Sequence, residues 1–181
     1  AMTYSAKRYT TRNLHSSMFK PATSGCLLFA DQNGVEAFLS RGRPGEKKPL
    51  RWLPDVHPDQ KKRIGQGLGY ARSEPPTWRE WTSILIRAMV STRDALFVAG
   101  PPDVINESDG LAAFEGRAGG KLRAVAKRDG TTRAEYDLDS PPVFDGMMAA
   151  NGRLFMCTSD GKVRCFGPAR RINFSFIIRG I

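Results

Sequence analysis

The chain has 181 residues, enough for one sizeable domain or a few repeat units, and its 40% apolar and 25% charged side chains exclude a disordered polymer. No apolar run approaches the about 18 residues of a membrane-crossing helix, and the opening AMTYSAKRYTTRN lacks the apolar centre of a signal peptide. The formal charge of +10 points towards an acidic partner: nucleic acid, an anionic polysaccharide or a membrane surface.

In chain order, residues 1–57 read as a first unit with an irregular N-terminal segment. Within it, Ser24–Phe38 (SGCLLFADQNGVEAF) reads as a strand, a polar turn ending in Gly34 and a second strand, and Leu50–Val56 is a further strand candidate. Residues 58–83 read as a basic, Pro/Gly-rich linker, with PPTWREW docking onto the following unit. A second unit, 84–139, holds strand candidates from Ile84, over Arg93–Gly100, Gly119–Gly130 and from Thr131, with a loop insertion at 101–118. The last unit, 140–181, holds Pro141–Ala150, the hairpin Asn151–Phe166 and the terminal INFSFII, whose strand composition completes the unit.

The hairpin repeats. Gly25 matches Gly152, Leu27-Leu28-Phe29 matches Leu154-Phe155-Met156, and Gly34 matches Gly161; a third copy spans 93–130 with an enlarged turn. Asn33-Gly34, Asp129-Gly130 and Asp160-Gly161 are pairs suited to the positive φ of two-residue type I′ turns. The spacing predicts an all-β fold of antiparallel four-stranded blades, about three of them, as in a β-propeller. Rings need 4–8 blades, so the chain is a piece of a longer protein, a homo-oligomer that builds a ring from several chains, or an open stack.

Three cysteines, Cys26, Cys157 and Cys165, are too few for a disulfide framework. A two-residue loop at Asp160-Gly161 sets Cys157 opposite Arg164 and Cys165 opposite Met156. The two thiols then point to opposite sides, and no bridge is expected. The basic residues Arg41, Arg43, Lys47, Lys48, Arg51, Lys61, Lys62 and Arg63 fall in loop-like sequence and read first as a solvated loop, where unpaired charge is tolerated; a candidate anion-binding surface is the alternative.

Candidates for catalysis are sparse. Asp103, Asn106, Glu107 and Asp109 in DVINESDG offer hard oxygen ligands, without EF-hand spacing, and read as a solvated acidic loop. His15 lies beside Ser16 and Ser17, but no nucleophile elbow or orienting acid accompanies it, and His57 suits a turn. Trp52, Trp78 and Trp81 read as aromatic seals between units. Asp145, in PPVFDGMM, reads as a backbone-amide acceptor at the start of a blade, with a channel-facing binding role as the alternative.

RAMVSTRDALFVAGPPD and LDSPPVFDGMMAANGRLFMCTSDGKVRCFG resemble the C-terminal end of bacterial PQQ-like β-propeller repeat proteins of the quinoprotein-alcohol-dehydrogenase-like superfamily. CLLFADQNGVEAFLSRG is similar to the preceding blade of that family, and the resemblance covers about Lys7 to Gly167. It implies blades packed around a channel and an extracytoplasmic (periplasmic or secreted) location, but no reaction. PQQ and calcium enter only if the chain is part of a PQQ-dependent oxidoreductase whose cofactor site lies on other blades. No cofactor or metal is otherwise expected. The reading is a non-catalytic scaffold or binding module, with other propeller blades or protein chains as partners. The quinoprotein fragment and a polyanion or nucleic-acid binder acting through 41–63 are the alternatives.

Overall fold

The computed structural model describes residues 1–7, 25–33, 37–39, 70–72 and 76–167. The chain divides into two units, Ala1–Thr82 and Ser83–Ile181. Both are built from antiparallel strands, and the expected all-β class holds.

The first unit contains β1 (Met2–Lys7), β2 (Cys26–Gln32), β3 (Ala37–Leu39), β4 (Tyr70–Arg72) and β5 (Trp78–Thr82). β2 is the central strand, and its near-continuous apolar run, Cys26, Leu27, Leu28 and Ala30, is buried. Its two edges pair with β1, from Met2↔Gln32 to Lys7↔Leu27, and with β5, from Cys26↔Thr82 to Ala30↔Trp78. The expected Ser24–Phe38 hairpin is therefore not formed. With both edges of β2 occupied, the following strand β3 pairs with β4 instead (Ala37↔Arg72). Two segments read outside the strands belong to them: Met2–Lys7 in the irregular N-terminal stretch, and Trp78–Thr82 in the linker. Trp78 and Thr82, both buried, lie on one face of β5 with exposed Glu80 between them, and the Trp and Thr content suits a strand; the Trp78 ring lies 6.1 Å from that of Tyr4.

The second unit follows the expected order closely. β6 (Ala88–Ser91), β7 (Ala95–Gly100), β8 (Gly120–Ala126) and β9 (Thr132–Leu138) form a sequential four-stranded sheet, and β10 (Pro142–Ala150), β11 (Arg153–Thr158) and β12 (Val163–Phe166) a three-stranded one. The insertion carries one short helix, α1 (Ala112–Glu115), closed by Gly116 at φ 88°. Ala99, Leu122 and Leu138 of one sheet pack with Leu154 and Met156 of the other, bordered by Phe97, Met147 and Phe166. Leu96, Val98 and Val125 occupy the opposite face of the four-stranded sheet and are also buried.

The turns differ from expectation. Among the described residues only Asp145 and Asn151 are non-glycines with positive φ, so neither Asp129 nor Asp160 sits in a type I′ turn. The β8–β9 connection closes from Ala126 N–H to the Thr131 carbonyl, with Gly130 at φ 78°. The β11–β12 loop is Ser159-Asp160-Gly161, closed by Thr158 N–H to the Lys162 carbonyl, with Gly161 at φ 76°. Its one extra residue shifts the register by one: Cys157 opposes Val163, and Cys165 opposes Phe155. Both thiols thus lie on one face, correcting the opposite-face expectation, while both cysteines are free, as expected. The type I′ pair is Asn151-Gly152, at φ 50° and 70°, joining β10 to β11 across Ala150↔Arg153.

Candidate functional site

The most unusual backbone of the second unit is in β10. Pro142 pairs with Thr158 and Met147 with Met156, so Val143, Phe144, Asp145 and Gly146 all stand opposite Cys157 alone. A bulge of this size re-aims side chains out of the sheet, the usual consequence of extra residues in one strand. It contains Asp145 at φ 53°, a conformation costly for a residue with a Cβ. Gly146 has no room for a side chain: a Cβ there would lie 2.5 Å from Val143 Cγ2 and 3.0 Å from the Cys157 carbonyl oxygen.

What the bulge presents is apolar. Phe144 is 76% exposed and Val143 is 40% exposed. Arg87, in the segment leading into β6, fixes this surface from behind. Its carbonyl accepts the Asp145 N–H at 3.1 Å, its guanidinium lies 5.5 Å from the Phe144 ring centroid, and its Nη2 donates to the Phe114 carbonyl at 2.5 Å. The cation–ring contact is worth about 0.5–1 kcal/mol at an exposed position. One arginine therefore ties the bulge, the start of β6 and helix α1 together: it holds the exposed Phe144 ring and, through the Phe114 carbonyl, the backbone of exposed Phe114.

The carboxylate of Asp145 is exposed and has no hydrogen-bond or ion-pair partner among the described residues; the residue is held by its N–H, not by a capping carboxylate. The expected backbone-amide role of its side chain is thereby replaced. The side chains of the acidic loop gather into no shared ligand group among the described residues. Arg117 donates to both carboxylate oxygens of Asp109, at 3.0 and 2.7 Å, and holds its carboxyl below the usual range. Asn106 Oδ1 accepts from the Ser108 N–H and hydroxyl, Asp103 is buried, and no group of three metal-type ligands occurs among the described residues. The basic set Arg41, Arg43, Lys47, Lys48, Arg51, Lys61, Lys62 and Arg63, together with His15, His57, Trp52, Leu50–Val56 and INFSFII, lies outside the described residues.

A second polar cluster closes the β11–β12 loop. Lys162 Nζ at 2.8 Å and the Thr158 hydroxyl at 2.5 Å hydrogen-bond to Asp160 and lower its carboxyl to about 2. Arg164 reaches Asp160 at 3.6 Å and Asp139 at 3.3 Å, locking the loop to the end of β9. The folded carboxyl lies below the about 3.9 of an unfolded aspartate. Its stabilisation is therefore complete above about pH 4 and is lost as the pH falls through about 2. Thermal melts of Asp160→Asn and wild type should differ at pH 6 and converge at pH 2; a gap that persists at pH 2 would assign the effect to packing.

Sequence reasoning missed the Arg87–Phe144–Phe114 surface. The one signal for it was Asp145-Gly146, a turn pair placed inside an otherwise strand-like run, which marks a bulge. The sequence matches no family model and no curated protein, and the fold matches no solved structure.

Proposed function

We propose that the chain is a non-catalytic binding module of propeller-blade type, part of a larger extracytoplasmic protein, and that the β10 bulge is its recognition surface. The observation carrying this reading is Phe144, a large aromatic ring held in solvent by Arg87. Pre-positioned aromatics with little conformational freedom to lose are what protein-binding hot spots are made of. Two further features support the blade reading. The strands of the second unit are hydrogen-bonded in sequential order, and its sheets stack face to face with β6 beside β10.

The test is selection of binding peptides from a random library against the wild-type chain. Selected peptides should bind Phe144→Ala about tenfold or more weakly, with the melting temperature of that variant unchanged because the ring packs on little else. Equal affinity for both forms, or no enrichment, would remove the bulge as the recognition surface.

One observation favours a second reading. Basic and acidic side chains nearly balance within the described residues, so the +10 excess is carried by the rest of the sequence, including 41–63. A polyanion-binding role of that segment predicts heparin affinity that falls steeply with salt. Affinity that is flat in salt would end this reading. The quinoprotein alternative predicts quinone absorbance that stays with the protein after incubation with PQQ and calcium and desalting.

A further inference from the structure

Acidic side chains of the second unit are repeatedly neutralised where they stand. Asp109 pairs with Arg117, Glu135 with Arg123 and Asp160 with Lys162. Asp145 is not. It is exposed, and neither of its carboxylate oxygens has a hydrogen-bond or ion-pair partner among the described residues. Its backbone is also unusual. Asp145 and Asn151 are the non-glycines at positive φ among the described residues. Asn151 belongs to a type I′ turn, which requires that conformation. Asp145 lies in a bulge, held at φ 53° by its N–H on the Arg87 carbonyl at 3.1 Å. Aspartate commonly visits this region with the help of a local side-chain hydrogen bond, and here there is none. The carboxylate thus does nothing for the fold that an asparagine would not do, and a strained residue of this kind points to function.

We infer that the segment recognised by the bulge carries an arginine beside an aromatic or aliphatic residue, with its guanidinium on Asp145 and its apolar side chain on Phe144; this rests on the reading of the bulge as the recognition surface. Three observations carry it. Both oxygens of the Asp145 carboxylate are open, and the parallel N–H groups of a guanidinium engage two oxygens at once, whereas an ammonium meets them as a point charge. The bulge aims the carboxylate in advance. The next residue, Gly146, is seated so close to Cys157 that a Cβ would stand 3.0 Å from its carbonyl oxygen, so little freedom is lost on binding. The apolar half lies next to it in the chain, with Phe144 76% and Val143 40% exposed. The Arg87 guanidinium already lies over the Phe144 ring, which reserves the ring for an apolar side chain and leaves the partner's cation to Asp145. A nucleic acid is disfavoured at this surface, because its phosphates would meet the Asp145 charge. The formal +10 of the chain repels a cationic segment at long range. Salt of 0.1 M screens that repulsion beyond about 10 Å, so the contact itself decides.

Peptides selected from the random library against the wild-type chain should carry an arginine next to an apolar residue. A synthetic copy of the most enriched peptide is the probe. Asp145→Asn should weaken its binding about fivefold or more, the loss of a charge-assisted pair at a partly covered surface. Replacing the arginine of the peptide by glutamine should weaken binding by a similar factor, and the two changes together should cost no more than either alone. Asparagine accepts positive φ as aspartate does, so the melting temperature of Asp145→Asn should stay at the wild-type value. Asp94→Asn is the control for general charge: Asp94 is exposed in the β6–β7 turn, at the far end of β6 from Arg87, and its variant should bind like the wild type. Phe144-dependent peptides that lack arginine or are rich in acidic residues, independent losses in the two-by-two comparison, or an equal loss in Asp94→Asn would overturn the inference and leave the bulge as the recognition surface. A selection without Phe144-dependent peptides would remove both.

Discussion

Gly100→Ala is expected to lower the melting temperature of the chain by roughly 10–20 °C, the effect of about 3 kcal/mol in a unit of this size. Gly100 ends β7, opposite Lys121. A Cβ there would stand 1.9 Å from the Leu85 carbonyl oxygen, 2.7 Å from its carbon and 3.2 Å from the Arg87 nitrogen. These are backbone atoms and cannot turn aside as a side-chain tip could. They are also pinned, since the Leu85 N–H donates to the Pro101 carbonyl at 2.8 Å and the Arg87 N–H to that of Ala99 at 2.9 Å. Relief of the clash must push the 85–87 segment off β7, and that segment carries the Arg87 clamp of the β10 bulge. Gly100→Ala should therefore weaken peptide binding at Phe144 as well as stability. Gly110→Ala is the control, because nothing lies within 4 Å of where its Cβ would stand. Melting curves followed by circular dichroism decide the matter, and equal curves for the two variants would refute the close approach at Gly100.

The second large effect is expected at Met156. Its side chain is fully buried, at the centre of the cluster formed by Ala99, Leu122, Leu138 and Leu154. Truncation to alanine removes apolar contacts and leaves a cavity between two sheets that can close only by moving against each other, at a cost of about 2–5 kcal/mol. Met148→Ala, one strand away on the outer face and 59% exposed, should change stability by no more than about 0.5 kcal/mol. Urea unfolding of both variants measures the contrast. A small effect at Met156 would mean that the two sheets of the second unit are not packed as described.

Much of the second unit was legible in the sequence because its information is local. Short apolar runs such as ALFVAG and RLFMCT, bounded by turn residues, specify strands largely by themselves, and the strands of this unit, β6 to β12, fall where those runs set them. The first unit was less legible. CLLFADQ is apolar on both faces, which announces a central strand but not its neighbours, and the two it takes, Met2–Lys7 and Trp78–Thr82, lie far from it along the chain. The nearby β3 loses that competition, so a hairpin inferred from adjacency fails.

The turns show the same division at finer scale. Asn151-Gly152 adopts the two-residue type I′ form that its composition favours. Asp129-Gly130 and Asp160-Gly161 share that composition but use only the glycine at positive φ, because the aspartates are engaged otherwise. Asp160 binds Thr158 and Lys162, and Asp129 binds Thr131 and Arg128. The one-residue change in loop length then reverses which face each β12 side chain takes, and it is this that brings Cys157 and Cys165 together.

By itself the sequence determined the all-β class and the strand order of the second unit, since residue spacing and turn composition are properties of the chain alone. Only the tertiary structure decided the partners of β2, the β11–β12 register, the Val143–Gly146 bulge of β10 and the meeting of Arg87, Phe114 and Phe144. Each of these depends on which distant backbone supplies a hydrogen bond or occupies a volume, and no local pattern encodes that.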